Sequence, residues 1–353
     1  MQQLLAGAAA GPCGSRGAVH CGLRLLLEHV QQLVHPRRAL CGGGSGAAGS
    51  GAPEPSVELA SNDGYLLQYV QQRGIPCLGI EPTAATAEAA RAKGITTLER
   101  FFGEELAAEL EPADLVVANN VLAHVPDIND FVAGIARLLK PQGRASIECP
   151  HLLRLLAGNQ FDTIYHEHYS YLSLRVVQRI AAAVGLVVVD VEELPTHGGS
   201  LRICLAHQGA AQPTAAVASV LAAEAAAALE TLEAYADFQQ RAEAAKHGLL
   251  EFLLQAKREG RRVLGYGAAA KGNTLLNYAG IRADLLPAVA DRATSKQGKH
   301  LPGSHIPVIS PEQLTAQPPD ALLVLPWNLI DELRQQLAGY QLVTAIPELR
   351  MWR

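Results

Sequence analysis

The chain has 353 residues, 49% of them hydrophobic and 18% charged, with a net charge of −5. That make-up fits a globular protein of two or three domains, and its mild acidity gives no footing to a nucleic-acid or membrane-surface partner. No apolar run is long enough to span a bilayer, and the six cysteines form no CxxC pair, which points to a reducing, cytoplasmic setting without a disulfide framework.

Residues 1–53 are rich in Ala and Gly, and Glu28 is their only acid. Composition predicts a mostly disordered, low-complexity extension with one helix over 23–34. An acid-poor, Arg-containing start also fits an organelle transit peptide. From Val57 short apolar runs alternate with helical stretches. "SVELA", "CLGIEP", "ADLVVANN" and "RASIECP" read as strands. "GYLLQYVQQRG", "TAEAARAKG" and "INDFVAGIARLLKPQG" read as helices, each closing on Gly. This alternation predicts a doubly wound, parallel α/β sheet over 54–210, extended by a final strand pair, "LVVVDVEEL" and "SLRICLAH". Residues 211–260, Ala- and Glu-rich, predict a connector of one long helix or a helix pair. "RRVLGYGAAAKGNTLLNYAG" then restarts a strand–loop–helix unit, so 261–353 are expected to form a second, smaller α/β domain.

Within "VELASNDGYLL" a strand runs through a turn of small residues into a helix. Ser61, Asn62 and Gly64 leave room for a ligand to approach the backbone. Glu81, about 20 residues after the loop, is placed to accept both ribose hydroxyls of an adenosine. The loop lacks GxGxxG, and Asp63 would repel a pyrophosphate. A phosphate-free cofactor fits better, of which S-adenosylmethionine (SAM) is the common one. Asn119 and Asn120 end a strand at the ligand-binding edge of such a sheet, and His124 follows within about one helical turn.

"QFDTIYHEHYSYLS" gathers Tyr165, His166, Glu167, His168, Tyr169 and Tyr171. On a strand His166 and His168 would share a face, but no third metal ligand stands at an expected spacing and no metal is predicted. Acid/base chemistry accounts for the stretch better. A histidine exchanges its proton near neutral pH, a tyrosine can donate to a developing oxyanion, and Glu167 can fix the imidazole tautomer. A plain polar, exposed strand or loop is the alternative.

The blocks "VELASNDGYLLQ", "GIEPT", "ANNVLAHVPDINDFV", "IECPHLL", "QFDTIYHEHYSYLSL", "DVEELPTHGGSLRI", "GYGAAAKGNTLLNY" and "LPWN", in this order from about residue 56, resemble the SAM-dependent sugar C-methyltransferases. That family methylates the carbon next to the ketone of dTDP-linked 4-keto deoxysugars through an enolate. The resemblance implies His168 as the base, with Tyr165 and Glu167 in support and His124 facing the sugar. It implies Glu58, Ala60, Asn62, Gly64, Glu81 and Asn119 around SAM. It also implies a sugar-nucleotide site from Asn120, His197, Gly198, Tyr266, Gly267, Lys271 and Asn273, in the cleft between the two domains. The family begins with a zinc-binding domain on paired cysteines. Cys13, Cys21 and Cys41 do not reproduce that spacing, so structural zinc is not predicted. Two other readings stay open: methylation of another small carbonyl compound, and a non-catalytic SAM- or nucleotide-binding protein. The sequence does not set the oligomeric state.

Overall fold

The computed structural model describes residues 55–352. The expected helix over 23–34 and the expected extension lie outside the described residues.

The first sheet has seven strands in the order β3-β2-β1-β4-β5-β7-β6. They are β1 (Ser56–Leu59), β2 (Cys77–Ile80), β3 (Thr97–Leu98), β4 (Ala113–Asn119), β5 (Leu139–Pro150), β6 (Leu186–Leu194) and β7 (Ser200–His207). Strands β1 to β5 are parallel, and β7 runs antiparallel between β5 and β6. All four residues of β1 are buried, as a central strand covered on both faces requires. The crossover from β3 to β4 returns the chain to the middle of the sheet. It opens a crevice outside the carboxyl ends of β1 and β4, the switch point where ligands bind in such sheets.

The covering helices are α1 (Leu67–Gln71), α2 (Ala84–Ala92), α3 (Glu104–Ala107), α4 (Ile128–Leu138), α5 (Leu152–Ala157) and α6 (Leu174–Ala183). Asp127 caps α4, its carboxylate accepting from Asn129 N at 3.1 Å and Asp130 N at 3.0 Å. The sequence reading carried this helix on to Gly143, but it stops at Leu138 and "KPQG" enters β5. Pro141 cannot supply the N–H that a continued helix needs. The 211–260 stretch is a helix pair, α7 (Ala215–Ala226) and α8 (Phe238–Arg258), not one helix.

The second sheet runs β10-β9-β8-β11-β12-β13. Its strands are β8 (Val263–Tyr266), β9 (Val289–Ala290), β10 (Val308–Ile309), β11 (Ala321–Val324), β12 (Leu342–Thr344) and β13 (Arg350–Trp352), with α9 (Ala270–Tyr278) following β8. Only β13 is antiparallel. The first five strands repeat the order of the first sheet, so a second switch point lies between β8 and β11. Each sheet has its own apolar core, and Phe161, which follows α5, is buried in the core of the second. Among the described residues no helix is long and apolar enough to cross a membrane.

Candidate active site

The turn after β1 holds Ala60, Asn62 and Gly64 at φ of 54°, 54° and 74°. Left-handed backbone at an alanine costs roughly 1–2 kcal/mol, a strain that the surrounding structure must hold in place. Glu81 does much of this. One carboxylate oxygen accepts from Asn62 N at 3.1 Å and the other from Thr83 N at 2.9 Å. The carboxylate thus spends one lone pair on each oxygen inside the fold and keeps the others for a ligand's hydroxyls. Asp63, expected to repel a pyrophosphate, pairs with Lys93 at 2.7 Å.

Glu58 is buried, and one of its oxygens has no partner. Burial, then the charges of Asp63 and Glu81, push its carboxyl well above the usual carboxylate range. Buried side-chain oxygens of Ser61, Asn119 and Asn120 are also without partners. Unsatisfied polar atoms and crowded negative charge at a sheet's carboxyl edge fit a cationic, hydroxyl-bearing cofactor, and the donor set fits SAM. Replacing Glu81 by alanine would remove an acceptor from two loop amides. It is expected to weaken S-adenosylhomocysteine binding by about tenfold to a hundredfold in calorimetry.

Four rings come together around His168. The His168 ring lies 4.7 Å from that of His124, edge to face, and 4.3 Å from that of Tyr165, with Tyr171 at 6.1 Å. The segment that carries them is a loop and not a strand. A single 3-10 turn, Phe161–Thr163, leads into irregular backbone, and His166 points to solvent. His168 Nδ1 lies 2.8 Å from the Thr163 carbonyl. A carbonyl only accepts, so Nδ1 carries the proton and Nε2 keeps its lone pair. The tautomer is therefore fixed by Thr163, not by Glu167 as the sequence suggested. Glu167 instead offers its backbone to His124.

Burial lowers His168 to about 4, helped by the neighbouring charges of His124, His197 and Lys271. Burial also lowers His124 and His197, and it raises the Tyr165 phenol to about 12. At neutral pH the cluster presents neutral imidazoles and a protonated phenol.

The second sheet closes the other side. Lys271, in the first turn of α9, stands 2.9 Å from Asn328 Oδ1 and 4.6 Å above the Trp327 ring. Gly198 lies against the edge of the same ring, where a Cβ would come within 2.6 Å of Trp327 Cη2. Asn273, also on α9, has a buried oxygen without a partner. Two expectations change here. The Tyr266 ring is buried in the core of the second sheet, so only its backbone borders the loop. The loop amide of Ala268 donates to Asp291 Oδ2 at 2.6 Å, leaving the first-turn amides of α9 as the helix's anion-binding groups. Asp291 ends β9 as Glu81 ends β2, and its other oxygen accepts from Ala293 N at 2.7 Å. The two sheets thus brace their loops in the same way.

A groove of about 640 Å³ runs between the units, walled by Arg154, Glu193, Gly198, Trp327, Arg350 and Trp352. Sequence reasoning missed Tyr65, Glu148, Asp162, Thr163 and Trp327. Tyr65 bonds to Asn119. Glu148 accepts from Thr196 Oγ1 at 2.8 Å and its carbonyl accepts from Asn120 N at 2.7 Å. The quoted "LPWN" and "QFDTIYHEH" blocks contain Trp327, Asp162 and Thr163, but no local pattern marks them.

A seven-stranded sheet with one reversed strand and an acid-braced loop at its switch point is the fold of a SAM-dependent methyltransferase. Residues 26–191 match a methyltransferase domain model, and residues 195–347 match the C-methyltransferase C-terminal domain. The chain is 37% identical over 305 residues to C-methyltransferase NovU of Streptomyces niveus, covering 84% of this chain and 73% of that one. It belongs to that family, the SAM-dependent C-methyltransferases. A shorter match, 34% over 98 residues, joins it to a ubiquinone biosynthesis O-methyltransferase of Methylococcus capsulatus, with 26% of this chain and 41% of that one covered. Among solved structures, magnesium protoporphyrin IX methyltransferase of Synechocystis PCC 6803 with bound SAH aligns at 15% identity and a TM-score of 0.41. That alignment covers 55% of this chain and 90% of that one.

Proposed function

We propose that this C-methyltransferase acts on the carbon next to the ketone of a nucleotide-linked keto-deoxysugar, with His168 as the base. The observation that carries this reading is the fixed tautomer of His168. Nδ1–H is spent on Thr163, so the free lone pair of Nε2 is the one available to take a proton. In the proposed reaction Nε2 takes the proton of the carbon acid, and the electron pair of the C–H bond passes into the carbonyl as an enolate. Protonated Tyr165 and the cation of Lys271 are the donors suited to the enolate oxygen and the diphosphate. Bound SAM supplies an electrophilic methyl on a sulfonium. His124 and His197, both held neutral by burial, stand near the base without adding cations that would compete with it. Asn120, Gly198, Gly267 and Asn273 border the space this reading gives to the sugar nucleotide, and domain limits near residues 210 and 260 accord with it.

The direct test is calorimetric titration of dTDP into protein saturated with S-adenosylhomocysteine, followed by solvent deuterium exchange next to the substrate ketone. Micromolar dTDP binding and exchange are expected. If S-adenosylhomocysteine binds and dTDP does not, the sugar-nucleotide substrate is ruled out and the methyltransferase remains. The pH profile gives a second test. The base works only when neutral, and its affinity for protons is depressed, so activity should hold as pH falls and decline only near about 4. An acid limb at the ordinary histidine value would exclude His168 as placed here.

A further inference from the structure

The segment that carries the base is anchored at both ends, and the two anchors belong to different sheets. On the methyltransferase side, Tyr169 N donates to the Ala123 carbonyl at 2.8 Å, and the Glu167 backbone bonds His124. On the other side the chain is embedded in the second unit. Asn159 Nδ2 donates to the Pro347 carbonyl at 3.0 Å and the Arg241 carbonyl at 3.1 Å. Phe161 packs in the second core, its ring 5.3 Å from that of Tyr278. Asp162 has no solvent exposure, and its Oδ2 accepts from Trp327 Nε1 at 2.7 Å, across 165 residues of sequence.

Thr163, the next residue, provides the carbonyl that holds His168. One peptide unit therefore separates the Trp327 bond from the acceptor that fixes the base. We propose that Asp162 is a positioning residue, whose bond to Trp327 lets the second unit set the orientation and tautomer of His168. The device ties proton abstraction to the unit that, on the proposed reading, holds the sugar nucleotide, and the inference rests on that reading only for this purpose. Trp327 also lies under Lys271 and against Gly198, so a ligand seated there bears on the same indole that fixes Asp162.

The other Asp162 oxygen is buried without a partner, and burial pushes the carboxyl up to about 6 against the pull of Lys271 and Trp327. A buried carboxylate left half satisfied is costly where any apolar residue would pack, which argues that the position is kept for its bond.

The test uses three variants of the full chain. Trp327→Phe keeps a ring under Lys271 and removes the indole N–H. Asp162→Ala removes the acceptor. Asp162→Asn removes the charge and retains an oxygen for the indole. The His168 imidazole is followed by NMR in histidine-labelled protein, its signal assigned by its loss in His168→Asn. This readout needs no substrate, so it separates the strut from the sugar reading. In wild type His168 should titrate near 4, shielded from protons by burial and by His124, His197 and Lys271, with Nδ1 protonated. In Trp327→Phe and Asp162→Ala the Thr163 acceptor is displaced, so the tautomer should mix and the midpoint should shift away from about 4. Their exchange rate should fall by about a hundredfold with KM little changed, the cost expected of a base displaced by about 1 Å. Asp162→Asn should lose far less. An unchanged His168 titration in Trp327→Phe would overturn the proposal. So would an Asp162→Asn variant as impaired as Asp162→Ala, because charge and not the bond would then matter. If Trp327→Phe fails to fold, the two Asp162 variants carry the comparison alone.

Discussion

Replacing His168 by asparagine is expected to lower methyl transfer by about 10²–10⁴-fold, the usual range for a general base. Asparagine can still donate to the Thr163 carbonyl, so the segment should keep its course while the lone pair at the Nε2 position is lost. S-adenosylhomocysteine affinity should stay within about twofold, because the cofactor loop is braced by Glu81 and not by this histidine. Solvent deuterium exchange next to the ketone should fall by the same factor as turnover. A variant that still exchanged deuterium at the wild-type rate would remove the base assignment. One that exchanged slowly yet methylated normally would mean that proton removal is not on the path.

The second large effect is on stability. Gly267 has φ of 86°, and a Cβ there would meet Pro326 Cδ at 2.5 Å and Cγ at 2.7 Å. Its N–H is bonded to the Ala290 carbonyl at 2.8 Å and its carbonyl accepts from Ala269 N at 2.8 Å, so the backbone is tied on both sides. A proline ring cannot swing aside as a flexible side chain would. Gly267→Val should therefore cost about 3 kcal/mol or more in urea denaturation, from unfavourable φ and overpacking together. Gly280 is the control. Its φ is 69°, but nothing lies within 4 Å of its Cβ position. Gly280→Ala should show only the backbone term, about 1 kcal/mol. Equal losses at the two glycines would mean that the Pro326 contact yields more easily than its geometry implies.

Much of the architecture was legible because it rests on periodicity. Strands covered on both faces read as continuous apolar runs, such as "SVEL" and "ADLVVAN", and the alternation with amphipathic helices signals parallel order. The acid-braced loop proposed for the cofactor was legible because an acid at the end of the second strand is a local cue with a fixed offset. The proposed base, His168, stood out as a residue of the clustered stretch, but its support did not. The acceptor that fixes its tautomer is a backbone carbonyl, which every residue has, so no side-chain pattern could single out Thr163. Glu167 was the natural candidate from proximity in sequence, yet its backbone is turned to His124. The Asp162–Trp327 bond joins positions too far apart for any local rule. The resemblance implied that Tyr266 faces the substrate. In β8 all four residues are buried, so its side chain had no route to the cleft.

Both tryptophans of the chain, Trp327 and Trp352, wall the groove between the two units, and the cofactor loop has none. The unlabelled protein is thus its own optical gauge of that groove. Indole emission answers to polarity and to nearby charge, and here Trp327 sits beside Lys271 and Asp162 while Trp352 sits under Arg334. Titrating a ligand into the groove should change intrinsic fluorescence, while filling the cofactor loop should leave it nearly still. Occupancy of the two halves can then be read separately in one cuvette.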